Sequence, residues 1–137
     1  MLVCALALLL PLARPAAADV VVVVAGNSPL KSVTSRQLAA LFLGKINALP
    51  DGTRLTPVDL AEEAPARQAF YSTIIGKSAN QVRAYWSRLI FSGRGQPPRT
   101  FESEDALKKM LSQHPDWIGY IDSGAVDSSV RVLTLSD

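Results

Sequence analysis

The sequence predicts an α/β domain, a small mixed sheet with helices packed on it. Three observations carry that expectation. Val20 to Val24 is an unbroken run of five valines, and β-branched runs favour strands. Thr34 with Gln37, and Ser78 with Gln81, each place a hydroxyl three residues ahead of a glutamine, the mark of a capped helix start. Between and after these points the apolar residues follow the order strand, helix, strand, three helices, strand, turn, strand.

Each element has its own reason. The valine run suits a strand buried on both faces, as in a parallel sheet, and Gly26-Asn27-Ser28-Pro29 ends it. In the first helix Thr34 is the N-cap, Val33 can staple onto Leu38, and Leu38, Leu41 and Phe42 form the apolar stripe before Gly44 closes it. Pro50-Asp51-Gly52-Thr53 is a turn. Leu55 to Leu60 reads as a strand, with Pro57 pointing to an edge or a bulge. Pro65 is favourable at the first position of the second helix, whose stripe is Ala66, Ala69, Phe70, Thr73 and Ile74, with Gly76 at its end. Ser78 caps the third helix, which carries Val82, Tyr85, Trp86, Leu89 and Ile90 and stops at Gly93. Ser92 to Thr100, rich in glycine, proline and arginine, reads as a loop. Ser103 caps the fourth helix, Leu107, Met110 and Leu111 face inward, and Pro115 stops it. Trp117 to Ile121 is a short strand, Asp122 can cap a brief helical turn through Val126, and Val130 to Leu135 is the final strand.

The beginning of the chain reads differently. Leu2 to Ala13 is apolar apart from Pro11, and Ala16-Ala17-Ala18 offers small residues at a cleavage site. Residues 1–18 therefore read as a signal peptide, and residues 19–137 as a single periplasmic or secreted domain. The apolar run falls short of the about 20 residues a membrane span needs. Without the leader the hydrophobic share drops from 48% to about 43%, that of an ordinary globular domain. Thirteen Lys and Arg then face twelve Asp and Glu, a balance that argues against a nucleic-acid surface or a membrane surface. The only cysteine, Cys4, leaves with the leader, and with it any thiol nucleophile or cysteine metal site.

Little in the remaining residues suits catalysis. The single histidine, His114, stands at an expected helix C-terminus, where a cation meets the helix dipole favourably. Glu62-Glu63 and the Glu102, Glu104, Asp105 group sit at helix starts, where acids are stabilising. No phosphate-cradling glycine motif is complete. The expectation is a binding protein without cofactor or metal, not an enzyme. Two features suit an anion: the start of the second helix at Ala64 to Arg67, and the Ser92 to Gly95 loop with Arg94. The plain alternatives are that Arg67 pairs with Glu63 and that Arg94 is a solvated loop charge.

Val33-Thr34-Ser35-Arg36-Gln37-Leu38, Leu41-Phe42-Leu43-Gly44-Lys45-Ile46, Leu49-Pro50-Asp51-Gly52, Val58-Asp59, Phe70-Tyr71, Trp86 and Ile118-Gly119-Tyr120-Ile121 together resemble the exported phosphate-binding proteins of ABC transporters. The likeness implies the type 2 periplasmic-binding-protein fold, here as one lobe of a family whose members clamp ligand between two. Those members carry an arginine and then Ser-Gly-Thr at the start of a helix leading to a phenylalanine. With that phenylalanine on Phe70, this sequence has Leu60 at the arginine and Ala64, Pro65 and Ala66 at Ser-Gly-Thr. Asp59, Glu62 and Glu63 add negative charge there, each opposing an anion by roughly 1–4 kcal/mol at 4 Å.

The resemblance implies a solute-binding role, with phosphate or another small oxyanion as ligand and an ABC permease or other envelope protein as partner. The expected contacts are Asn27 and Ser28 as hydrogen-bond donors, the Ala66 N–H, and Arg67 and Arg94 as charges. The alternative is an envelope protein–protein interaction module that has lost its ligand. A third reading is a homodimer that rebuilds a two-lobed cleft.

Overall fold

The computed structural model describes residues 19–136, so the expected leader at 1–18 lies outside the described residues. The chain runs β1 (Val20–Ala25), β2 (Ser32–Thr34), α1 (Ser35–Phe42), β3 (Thr56–Leu60), α2 (Pro65–Phe70), α3 (Ala79–Phe91), β4 (Arg99–Phe101), α4 (Glu104–Ser112), β5 (Trp117–Asp122), β6 (Val130–Val132) and β7 (Thr134–Ser136). Five strands make one mixed sheet in the order β4-β3-β5-β1-β6, and β2 pairs with β7 in a second, parallel sheet. The architecture is the mixed α/β class that the sequence predicts.

The helix starts follow their local chemistry. Thr34 Oγ1 accepts from the Gln37 N–H at 3.0 Å, and Gln37 Oε1 accepts from the Thr34 N–H at 3.0 Å. Ser78 and Gln81 repeat the exchange at 3.2 and 2.9 Å. Each box satisfies donors that a helix start would otherwise leave unpaired. The second helix departs from regular α geometry: it widens into a π-turn over Tyr71–Ile75 before Gly76, at φ 79°, ends it.

Four strand readings differ from expectation. The valine strand is interior, with Val22 to Ala25 buried, yet both its neighbours run antiparallel to it. A β-branched run reports burial on two faces; it carries no information on strand direction. Arg99–Phe101, with Arg99 and Thr100 expected in a loop, pairs in parallel with Val58–Leu60 as the edge strand β4. Only Phe101 of its three residues is buried, so no alternation betrays it. Ser32–Thr34 is a strand hidden against the N-cap of α1. The expected strand over Val130 to Leu135 divides at Leu133: β6 joins β1, the Leu133 N–H bonds Val22 O at 2.8 Å, and β7 leaves to pair with β2. The reading of Pro57 fares better. It pairs only with β5, because β4 joins β3 from Val58 onward, so the proline stands at a local edge.

The core gathers on the aromatic group Phe42, Phe70 and Tyr120. Phe70 lies parallel to Tyr120 at 3.9 Å between ring centroids, and Phe42 tilts against Phe70 at 4.7 Å. Gly119 lets β5 approach its neighbours: a Cβ there would stand 3.1 Å from Val58 Cγ2 and 3.2 Å from Leu107 Cδ2. Gly119→Ala is expected to lower unfolding free energy by about 1–3 kcal/mol in urea titrations, as overpacking in a tight core does. An unchanged midpoint would contradict the close packing of β5 between β3 and α4.

Candidate functional site

The topology decides which expected contacts can meet. β1 runs antiparallel to β5, and β5 runs parallel to β3. The C-terminal ends of β1 and β3 therefore lie at opposite ends of the sheet. The Asn27-Ser28 loop follows β1, whereas α2, with Ala66 and Arg67, follows β3. The structure does not bring these two pairs together. Ser28 is buried in a turn: its N–H bonds Ala25 O at 3.0 Å, its Oγ accepts from the Leu30 N–H at 3.2 Å, and its carbonyl accepts from Arg131 at 2.9 Å. Asn27 is exposed.

At the start of α2, Pro65 has no N–H, and the Arg67 and Gln68 N–H groups bond Ala64 O at 3.0 and 3.3 Å. The Ala66 N–H has no backbone acceptor among the described residues. Arg67 does not pair with Glu63. Its Nη1 donates to Leu60 O at 2.9 Å and lies 3.7 Å from Asp59 Oδ2, with the guanidinium 5.4 Å from the centre of the Tyr71 ring.

Asp59 itself is the residue whose role the sequence conceals. Its side chain is 2% exposed, in the middle of Val58-Asp59-Leu60 on β3. Oδ1 accepts from the Leu60 N–H at 2.8 Å and from the Tyr120 hydroxyl; Oδ2 accepts from the Tyr71 hydroxyl at 2.6 Å. Burial, then the Asp59 charge, then the hydrogen bond to it, push both tyrosine hydroxyls far above the usual tyrosine pKa. The signal for this network was one acid inside an apolar strand, because a buried charge must find partners. Two of the three acids expected to crowd the α2 start are thus paired. Asp59 faces Arg67, Glu62 accepts from Arg83 Nε at 2.8 Å, and Glu63 is exposed without an ion pair among the described residues.

Beside α2 a cavity of about 250 Å³ opens toward α3 and the Pro97-Pro98 segment. Arg67, Gln68 and Tyr71 line it from α2 and the π-turn, Val82, Trp86 and Ile90 from α3, and Arg83 with Glu62 stands at its edge. Arg94 is exposed in the loop after α3 and is not part of this wall. His114 serves structure: Nδ1 meets Met110 O at 2.7 Å and the ring stacks on Trp117 at 3.9 Å. No helix among the described residues is long and apolar enough to cross a membrane.

This architecture is the fold of a lobe of phosphate-type substrate-binding proteins. The chain superposes on an ABC-type phosphate transport receptor from Vibrio cholerae with a TM-score of 0.67 at 19% identity, covering 86% of this chain and 46% of that one. It is similar to a putative phosphate ABC transporter substrate-binding protein with bound phosphate from Clostridium perfringens, at TM-score 0.66 and 20% identity over 86% of this chain and 45% of that one. PstS from Borrelia burgdorferi gives 0.63 at 13% identity, over 86% and 47%. The chain thus spans less than half the length of each. No protein-family model and no curated relative matches the chain.

Two outcomes test the Asp59 network. Asp59→Ala strands two buried hydroxyls and a cation, and is expected to cost about 3–5 kcal/mol in denaturant unfolding; a loss below 1 kcal/mol would show that the network carries little stability. The raised tyrosines set the sign at alkaline pH. Their contribution is complete below the unfolded value near 10 and is lost as pH rises above it, at about 1.4 kcal/mol per pH unit for each tyrosine. Tyr71→Phe should remove about half of the slope that Tyr71 and Tyr120 contribute, measured by urea titration from pH 9 to 11.

Proposed function

We propose that this domain is an exported solute-binding lobe of the phosphate-transport type, taking phosphate or another small oxyanion in the cavity beside α2. One observation carries the reading. Two arginines line the cavity, Arg83 on α3 and Arg67 on α2, the latter one residue past Ala64, Pro65 and Ala66, where the family resemblance places the ligand motif and which themselves stand outside the lining. Neither is idle, but they are held differently. Arg67 serves a buried carboxylate, whereas Arg83 and Glu62 form an exposed pair, with side chains 61% and 50% accessible. Exposed pairs are worth about 0–1 kcal/mol, so an anion can recruit Arg83 at small cost.

The proposed contact set keeps Arg67 and adds Arg83. Ala66, Asn27, Ser28 and Arg94 fall outside it: none of the four lines the cavity, and Ala66 is buried. The partners in this reading are an ABC permease or another envelope protein. The interaction-module alternative has less support: among the described residues the exposed large apolar side chains are Ile90, Phe91, Val126 and Val132, and only the first two are neighbours in sequence.

The test is thermal unfolding of the mature domain in phosphate or sulfate against chloride at matched ionic strength. Ligand at ten times its Kd should add about 1.4 kcal/mol and raise Tm by roughly 5 °C. Arg83→Gln should shrink that shift. Equal Tm values in all three salts, with no heat in calorimetry at millimolar phosphate, would sink the oxyanion reading.

A further inference from the structure

From the same cavity, and resting on the oxyanion reading above, we infer that the preferred ligand is not a bare inorganic anion but an oxyanion carrying an apolar substituent about the size of one aromatic ring.

Size gives the first reason. The cavity holds about 250 Å³, room for about eight waters at about 30 Å³ each. A tetrahedral inorganic oxyanion has five heavy atoms and leaves much of that space unfilled.

The wall chemistry gives the second. Val82, Trp86 and Ile90, spaced by four along α3, present an apolar stripe to the cavity. Pro97 and Pro98 also line it, and neither has an N–H to offer an anion. This half of the cavity suits apolar atoms, and Ile90 in it is 55% exposed. Small-molecule sites have this make-up: mostly apolar walls with a few placed polar groups.

The charges decide the sign of the head group. Asp59 is fully engaged by two tyrosine hydroxyls, a backbone N–H and Arg67, so it has nothing to offer a cation. Glu62 and Arg83 hold each other at the edge. Of these two, only Arg83 offers several N–H donors in a planar fork that matches an oxyanion. A ligand with its head at Arg83 and its substituent along Val82, Trp86 and Ile90 uses both halves of the cavity.

The experiment measures Kd by calorimetry for inorganic phosphate, phenylphosphonate and benzylamine on the mature domain, and repeats it on Ile90→Ser. Phenylphosphonate is expected to bind at least about tenfold tighter than phosphate, since burying a ring of this size is worth that factor or more. Ile90→Ser should cut that ratio at least threefold, with its unliganded Tm checking that the fold is kept. Phosphate binding with no gain from the phenyl group overturns this inference and leaves the oxyanion reading standing. A gain that survives Ile90→Ser puts the ring elsewhere and overturns it too, as does tighter binding of benzylamine than of phenylphosphonate. Absence of binding by both anions overturns the oxyanion reading and this inference together.

Discussion

The buried carboxylate of Asp59 is the constraint on which the rest of this structure depends. It sits on β3, takes a hydroxyl from Tyr120 on β5 and another from Tyr71 at the end of α2, and draws Arg67 of α2 inward. One side chain thereby ties two strands and a helix. A carboxylate this deep is tolerable only when its lone pairs are filled, because desolvation costs several kcal/mol. Here four groups surround it. The same tyrosine that serves it, Tyr120, lies flat against Phe70, so the polar network and the aromatic core share a residue. Moving α2 would disturb both.

This arrangement explains the shape of α2. The helix must present Arg67 and Tyr71 to one point beneath it, and residues four apart on a helix share a face. Pro65 starts the helix where no N–H is needed, and the chain widens into a π-turn at Tyr71. Tyr71 is the first residue of that turn, and its hydroxyl reaches Asp59 at 2.6 Å.

Helices were readable from the sequence because their signals are local. Thr34 with Gln37, and Ser78 with Gln81, are complete within four residues, and both boxes form. Strands β2, β4 and β7 are three residues each and owe their existence to a partner distant in the chain, so no window around them contains the cause. The candidate site divides in the same way. Arg67 was visible as a cation at a helix start, but the Asp59 site it joins is completed by Tyr120, 61 residues further along the chain. Asn27 and Ser28, expected as hydrogen-bond donors to the same ligand, also follow a strand, as α2 does. What separates them is strand direction, and a run of valines does not encode direction.

Charge pairing also orders what an arriving anion can do. At 3.7 Å, and with the effective dielectric of about 20 that suits protein sites, Arg67 and Asp59 attract by about 4 kcal/mol. Breaking them apart would also leave a carboxylate buried against two hydroxyls without its cation. The Arg83–Glu62 pair stands in solvent, where such pairs contribute about 1 kcal/mol or less. An anion in the cavity would therefore draw on Arg83 at smaller cost than on Arg67, whose charge Asp59 partly cancels. Strong affinity for a small bare anion needs several undivided donors converging on one point, and this wall has divided its cations between structure and surface. In the oxyanion reading further binding energy comes from the apolar stripe of α3, Val82, Trp86 and Ile90, which is tied up in no hydrogen bond or ion pair.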